Sequence, residues 1–139
     1  MVAFERVKLI TLFFYYFYEK NQPIPYIIYV IDSGGDVMVQ GHGINDMPWG
    51  WASENEWNKM VYQKWVHMLY RCYNEGYHKT KNGKNYIGCT VCERWLTLSN
   101  FVDDVPKIDG YDEERFLNGE LELDKDKKND TDDKSYCFN

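Results

Sequence analysis

From Lys64 to Trp95 the chain reads KWVHMLYRCYNEGYHKTKNGKNYIGCTVCERW. Its first third continues an amphipathic pattern that begins upstream. Ser53-x-x-Glu56 has the form of a capping box, which satisfies two backbone donors at a helix start, so a helix is expected to begin near Ser53. Trp57, Val61, Trp65, Met68 and Cys72 then fall in one stripe at helical spacing and should face the core. Lys64 and Arg71 share a neighbouring face, with His67 beyond them, so the flank of this helix is cationic. Residues 74–85 are polar, basic and broken by glycine, which predicts a loop carrying His78. Tyr86-Ile87 and Thr90-Val91 bracket Gly88-Cys89 as a short strand or a knuckle.

On the N-terminal side, Tyr26–Ile31 is β-branched and aromatic, as strands are. Ser33-Gly34-Gly35-Asp36 supplies a turn where positive φ is cheap, and Val37–Gln40 alternates apolar with polar residues. Together they predict a hairpin. Gly41–Asp46 is expected to be a loop, and Pro48–Trp51 irregular. On the C-terminal side, a short helix should start at Ser99, bury Phe101 and Val102, and stop before Pro106. Residues 107–139 are polar and weakly periodic, and Lys125–Lys134 should be solvated.

The chain has 139 residues, which sets one domain as the expectation and needs no disulfide to hold it together. Aromatic residues make up 17%, with 12 Tyr and 5 Trp, enough for a dense core and for flat faces that stack on bases or guanidinium groups. The net charge is −6, yet it is unevenly placed. Residues 109–139 hold 11 Asp/Glu against 5 Lys/Arg, while residues 1–108 hold 11 of each sign. A neutral body with a local basic patch remains compatible with binding a polyanion. Val7–Tyr18 is apolar, but it is too short to span a bilayer and has no small-residue cleavage site, so a buried helix or strand is expected and no membrane role. The four Cys do not mark a disulfide scaffold in a chain this long and aromatic.

The chemistry-bearing residues gather around the quoted stretch. Cutting a phosphodiester needs a base to deprotonate water and a cation to hold the developing charge. Histidine is a residue type suited to the base and His78 is the candidate, though a solvated loop histidine with no task fits its spacing as well. Arg71, Lys79, Lys81, Lys84 and Arg94 form a basic cluster, opposed locally by Glu75 and Glu93 and interleaved with Tyr73, Tyr77 and Tyr86; it suits phosphate contact or an ordinary charged surface. Cys89-x-x-Cys92 has the spacing of half a zinc knuckle, which Cys72 and Cys137 would have to complete as a four-thiolate structural zinc; small thiols packed in the core are the alternative. Asp124 and Asp126 would point to one side of an extended segment and could hold Mg2+ or another divalent ion, or belong to a solvated acidic tail.

Taken in order, these elements resemble a known family. Gly41-His42-Gly43-Ile44-Asn45-Asp46 comes first, followed by a helix with Trp65, Met68, Leu69, Arg71, Cys72 and Tyr73. His78 falls six residues after Cys72. Gly88–Trp95 with Asn100-Phe101 follows, and Leu123–Asp126 precedes Cys137. This ordered set is similar to the phage HNH-like homing endonucleases. It spans residues 39–139, with residues 1–38 as an aromatic-rich extension expected to pack on the core. Lys127–Lys134 stands where relatives carry a Gly/Asn turn, and Tyr136 stands where the HNH motif places Asn.

The resemblance implies an α+β fold: a compact single domain with a β-hairpin, a central amphipathic helix and a small HNH-like, ββα-type nuclease core. It implies metal-dependent cleavage or nicking of a specific double-stranded DNA target by a phage- or intron-encoded enzyme in the cytoplasm of an infected bacterium. The catalytic residues would be His78 as the general base, Arg71 as a phosphate clamp and Glu93 as a further candidate ligand of the metal. Arg71, Lys79, Lys81, Lys84 and Arg94 would contact DNA, and Asp124 and Asp126 would hold the metal. A double-strand break would need a homodimer or two sequential nicks. The altered tail and the net charge support a second expectation, a nuclease fold that has lost catalysis and binds and inhibits a host or competitor protein.

Overall fold

A computed structural model describes residues 29–31, 37–123 and 135–137 as a mixed helix-and-sheet chain. Val7–Tyr18, the Ser33–Asp36 turn, Asp124, Asp126 and Lys125–Lys134 lie outside the described residues. Three short strands form an antiparallel meander: β1 (Tyr29–Ile31), β2 (Val37–Val39) and β3 (Gly43–Asn45). The expected hairpin is therefore present, with Tyr29 opposite Val39. The expected loop at Gly41–Asp46 is half strand, because the β2–β3 turn takes only residues 40–42, with Gln40 and Gly41 in the left-handed region at φ 54° and 71°. The turn lets Val39 pair with Gly43, and His42 N–H donates to the Val39 carbonyl at 3.2 Å.

The central helix, α1, spans Glu56–Tyr73. Its cap is Asn55, whose side chain accepts from Asn58 N–H at 2.8 Å. Ser53 is not the cap as expected; it lies in a 3-10 turn over Trp51–Ser53, and Asn55, two residues later, takes the donor. Val61, Trp65, Met68 and Cys72 are buried as the stripe requires. Val66 and Leu69 are buried too, so the apolar arc is wider than one stripe. The strands pack on one side of it: a Cβ at Gly43 would collide with Leu69 Cδ1 and the Trp65 ring, so only glycine lets β3 lie this close. Full burial of each large side chain here contributes roughly 1.5–3 kcal/mol.

Asn74 ends α1 and starts the next helix. Its backbone is extended, at φ −86° and ψ 108°, and its side chain accepts from Tyr77 N–H at 2.8 Å, capping α2 (Glu75–His78). The expected loop over 74–85 is thus structured: α2 is followed by a 3-10 turn over Gly83–Tyr86. Beyond it come β4 (Thr90–Val91), α3 (Glu93–Leu96), α4 (Leu98–Asp104) and α5 (Glu113–Leu117). The helix expected at Ser99 begins one residue earlier, buries Phe101, and leads into a 3-10 turn through Pro106. α5 was not expected; Asp112 caps it, and Phe116 is buried against the Trp57 and Tyr111 rings.

The last strand, β5 (Ser135–Tyr136), returns parallel to β4, with Val91 opposite Tyr136. Parallel neighbours cannot be joined by a tight turn, and here α3, α4 and α5 lie in the connection. No helix among the described residues is long and apolar enough to cross a membrane.

Candidate active site

The last turn of α1 carries Arg71, whose guanidinium carbon lies 5.6 Å from the Tyr86 ring centroid and 5.8 Å from that of Tyr136. Both rings attract the cation through their quadrupoles, so Arg71 joins the Gly83–Tyr86 turn to β5. Its Nε is buried with no hydrogen-bond partner among the described residues. The Arg71 carbonyl is one of the acceptors that a helix end leaves unpaired. His78 meets it from the end of α2, with Nε2 at 2.8 Å. A carbonyl can only accept, so Nε2 carries the proton, and in the neutral imidazole Nδ1 is the nitrogen left to accept one.

Asn74 and the β2–β3 turn hold this corner. With its Oδ1 committed to Tyr77 N–H, Asn74 presents Nδ2 to Gln40 Oε1 at 3.3 Å. The same turn lays the exposed His42 ring on Tyr73, centroids 3.9 Å apart and planes within 19°. The Tyr73 hydroxyl accepts from Val91 N–H at 3.0 Å and so fixes β4 to α1. Burial foremost raises the Tyr73 pKa, and it raises that of Tyr136 more strongly, against the opposing charge of Arg71. Both stay neutral phenols through the physiological range.

Four of the expected phosphate contacts are exposed, Arg94 and three lysines. Lys79, Lys81 and Lys84 line the segment from α2 to the 3-10 turn. Thr80 tightens it, its hydroxyl donating to the Tyr77 carbonyl at 2.7 Å and accepting from Gly83 N–H at 3.0 Å. Gly83 packs directly on the Tyr77 backbone, where a Cβ has no room. No acidic residue occurs from Gly76 to Cys92.

Two other cations are engaged within the chain. Arg94, expected on DNA, donates to buried Asp104 through Nε at 2.7 Å and through a terminal nitrogen at 3.0 Å. Trp95 Nε1 donates to the same carboxylate at 3.0 Å. These bonds, Arg94 first, hold the Asp104 carboxyl below its ordinary range in spite of burial. Lys64, expected on an open cationic flank, pairs with Glu122 at 2.7 Å. Glu93 is exposed in the first turn of α3, outside the contacts that join His78 to Arg71.

None of the four cysteines is in a disulfide; Cys72 and Cys89 are buried and Cys92 and Cys137 half-buried. Among the described residues no three His, Cys, Asp or Glu side chains are grouped to hold a metal ion. The two aspartates expected to bind one, Asp124 and Asp126, lie outside those residues. The site therefore brings together His78, Arg71 and the Lys79–Lys84 segment, and adds partners that sequence reading left out. Tyr136 and Gln40 gave no local signal; their roles arise from a parallel strand contact and a helix-corner contact between residues distant in sequence. No protein-family model, curated protein or solved structure matches this chain.

Proposed function

We propose that this protein is a metal-dependent DNA endonuclease of the HNH-like homing type, which nicks or cuts double-stranded DNA. The observation that carries the proposal is the hydrogen bond from His78 Nε2 to the Arg71 carbonyl, which leaves Nδ1 of an oriented imidazole as a proton acceptor at the end of the helix that carries Arg71. In this scheme Nδ1 takes the proton of the attacking water. Arg71 holds the scissile phosphate, and Lys79, Lys81 and Lys84 hold the flanking phosphates through charge-assisted contacts. Asp124 and Asp126 are the residues proposed to hold the divalent ion, which would stabilise charge on the phosphate when bound. No proton transfer is assigned to Glu93 or Arg94.

Incubation of the protein with supercoiled plasmid and phage genomic DNA, with Mg2+ or Mn2+ and with EDTA, tests this. Open-circular or linear product that depends on the metal and is lost in His78→Ala supports it. One site cuts one strand, so linear product should rise with protein concentration if two copies act together. The pairing of Arg94 with Asp104 and of Lys64 with Glu122 lowers the cation count open to DNA, which favours the second reading, a protein-binding inhibitor. Absence of cleavage with every divalent metal, together with one stable protein partner at fixed stoichiometry, would select that reading instead.

A further inference from the structure

We propose that Ile87 is an apolar wedge that enters a base step of bound duplex DNA, an inference that rests on the DNA-cleaving reading above. A single exposed apolar side chain needs no explanation in itself. What sets Ile87 apart is how it is presented. Residues 86–89 form a type II turn: Ile87 has φ −60° and ψ 124°, Gly88 has φ 81°, and Cys89 N–H donates to the Tyr86 carbonyl at 2.9 Å. Gly88 supplies the positive φ that the third turn position demands.

The turn is anchored at both ends. Tyr86 packs against Arg71 and against the Tyr77 ring at 5.8 Å, and Cys89 is 3% exposed. A β-branched side chain that is 56% exposed thus stands on a fixed tip and not on a loose loop. The segment that leads into this turn is cationic. Ile87 N–H donates to the Lys84 carbonyl at 3.4 Å, and Lys79, Lys81 and Lys84 are exposed on a stretch without a carboxylate. In a chain of net charge −6, this stretch is the segment complementary to a polyanion. Proteins that bend DNA use this pairing of basic flanks with an apolar wedge such as Ile, which parts one base step while the cations hold the backbone. Steps of the TA type yield most readily.

The test uses the full chain in EDTA and low salt, so that no strand is cut. The probe is a short TA-repeat duplex with 2-aminopurine at several adenines and a fluorophore pair at its ends. The wild-type protein should raise 2-aminopurine emission and shorten the end-to-end distance at saturation. Ile87→Ser should still bind but lose most of both signals, Ile87→Phe should keep them, and Lys84→Ala should weaken binding while the emission per bound complex is unchanged. Far-UV circular dichroism verifies that each variant is folded. Wild-type emission from saturated Ile87→Ser, or wild-type binding without unstacking, overturns the wedge while leaving DNA binding intact. A wild-type protein that binds no duplex overturns both.

Discussion

The imidazole of His78 is held to the end of α1 by a 2.8 Å hydrogen bond from Nε2 to the carbonyl oxygen of Arg71. One contact thus ties the expected base to the backbone of the residue whose guanidinium lies over the Tyr86 and Tyr136 rings. Replacing His78 removes a proton acceptor and a partner of a helix-end carbonyl together. His78→Ala should lower plasmid nicking by roughly 10²–10⁴-fold, the usual contribution of a general base, while circular dichroism still reports a folded chain. His78→Gln can restore the bond to the Arg71 carbonyl but cannot take the proton, so it should recover stability and not activity. Nicking at the wild-type rate in either variant would remove His78 from the mechanism.

Arg71 offers a planar cation to two rings, and a lysine cannot match that geometry. Arg71→Lys should therefore lower stability by about 0.5–2 kcal/mol, the range of one cation–π contact in partly desolvated surroundings. It should also weaken DNA binding with little change in its salt dependence, since a lysine keeps the charge but presents no planar fork to phosphate. Denaturant titration and binding at several salt concentrations read the two effects separately.

Much of the fold was legible because it rests on local periodicity. The stripe through Val61, Trp65, Met68 and Cys72, the pairing of Tyr29–Ile31 with Val37–Val39, and the burial of Phe101 all follow from spacing. What was missed depends on contacts between distant residues or on competing caps. Ser53 and Asn55 both offer a capping oxygen, and the neighbouring 3-10 turn decides for Asn55. Arg94 looked like a free cation because its partner, Asp104, lies beyond α3 on another helix. The basic segment was legible as Lys79, Lys81 and Lys84, whereas its stiffening by Thr80 and Gly83 was not, since a polar, glycine-containing run reads as loop whether or not it packs.

Gly43 tests the contact between the meander and α1. A methyl group there meets Leu69 and the Trp65 ring, both fully buried and without room to yield. Gly43→Ala should destabilise by about 1–3 kcal/mol, the usual cost of overpacking a closed core, and shift the denaturant midpoint with little change in slope. A midpoint equal to that of the wild type would mean that β3 does not lie against Trp65 as described.

Asp104 sets the response to acid. Its carboxyl is held below the ordinary value, first by Arg94 and then with help from Trp95 and Lys107, against the cost of burial. A lowered folded pKa contributes stability that is present above the unfolded value of about 3.9 and disappears as pH falls through the lower folded value. Arg94→Gln removes the main partner, lets the folded pKa rise, and should move acid unfolding to higher pH. Asp104→Ala also leaves the Trp95 indole N–H without its acceptor and should cost about 2–3 kcal/mol near neutral pH. Unfolding followed by tryptophan fluorescence across the acid range checks both.

Tyr136 sets the response to base. Burial foremost pushes its phenol well above the ordinary range, with Arg71 pulling the other way. The folded state therefore favours the protonated form, so the contribution is whole below the unfolded pKa of about 10 and is lost as pH climbs toward the higher folded value. Tyr136→Phe keeps the ring over Arg71 and removes the titrating oxygen. It should match the wild type near neutral pH and lose less stability above pH about 10. Tyr70, Tyr73 and Tyr77, all raised chiefly by burial, remain and leave a smaller alkaline loss in the variant. Denaturant midpoints measured on both sides of pH about 10 give the comparison, and an equal decline in the two proteins would show that the Tyr136 hydroxyl is exposed to solvent in the folded state.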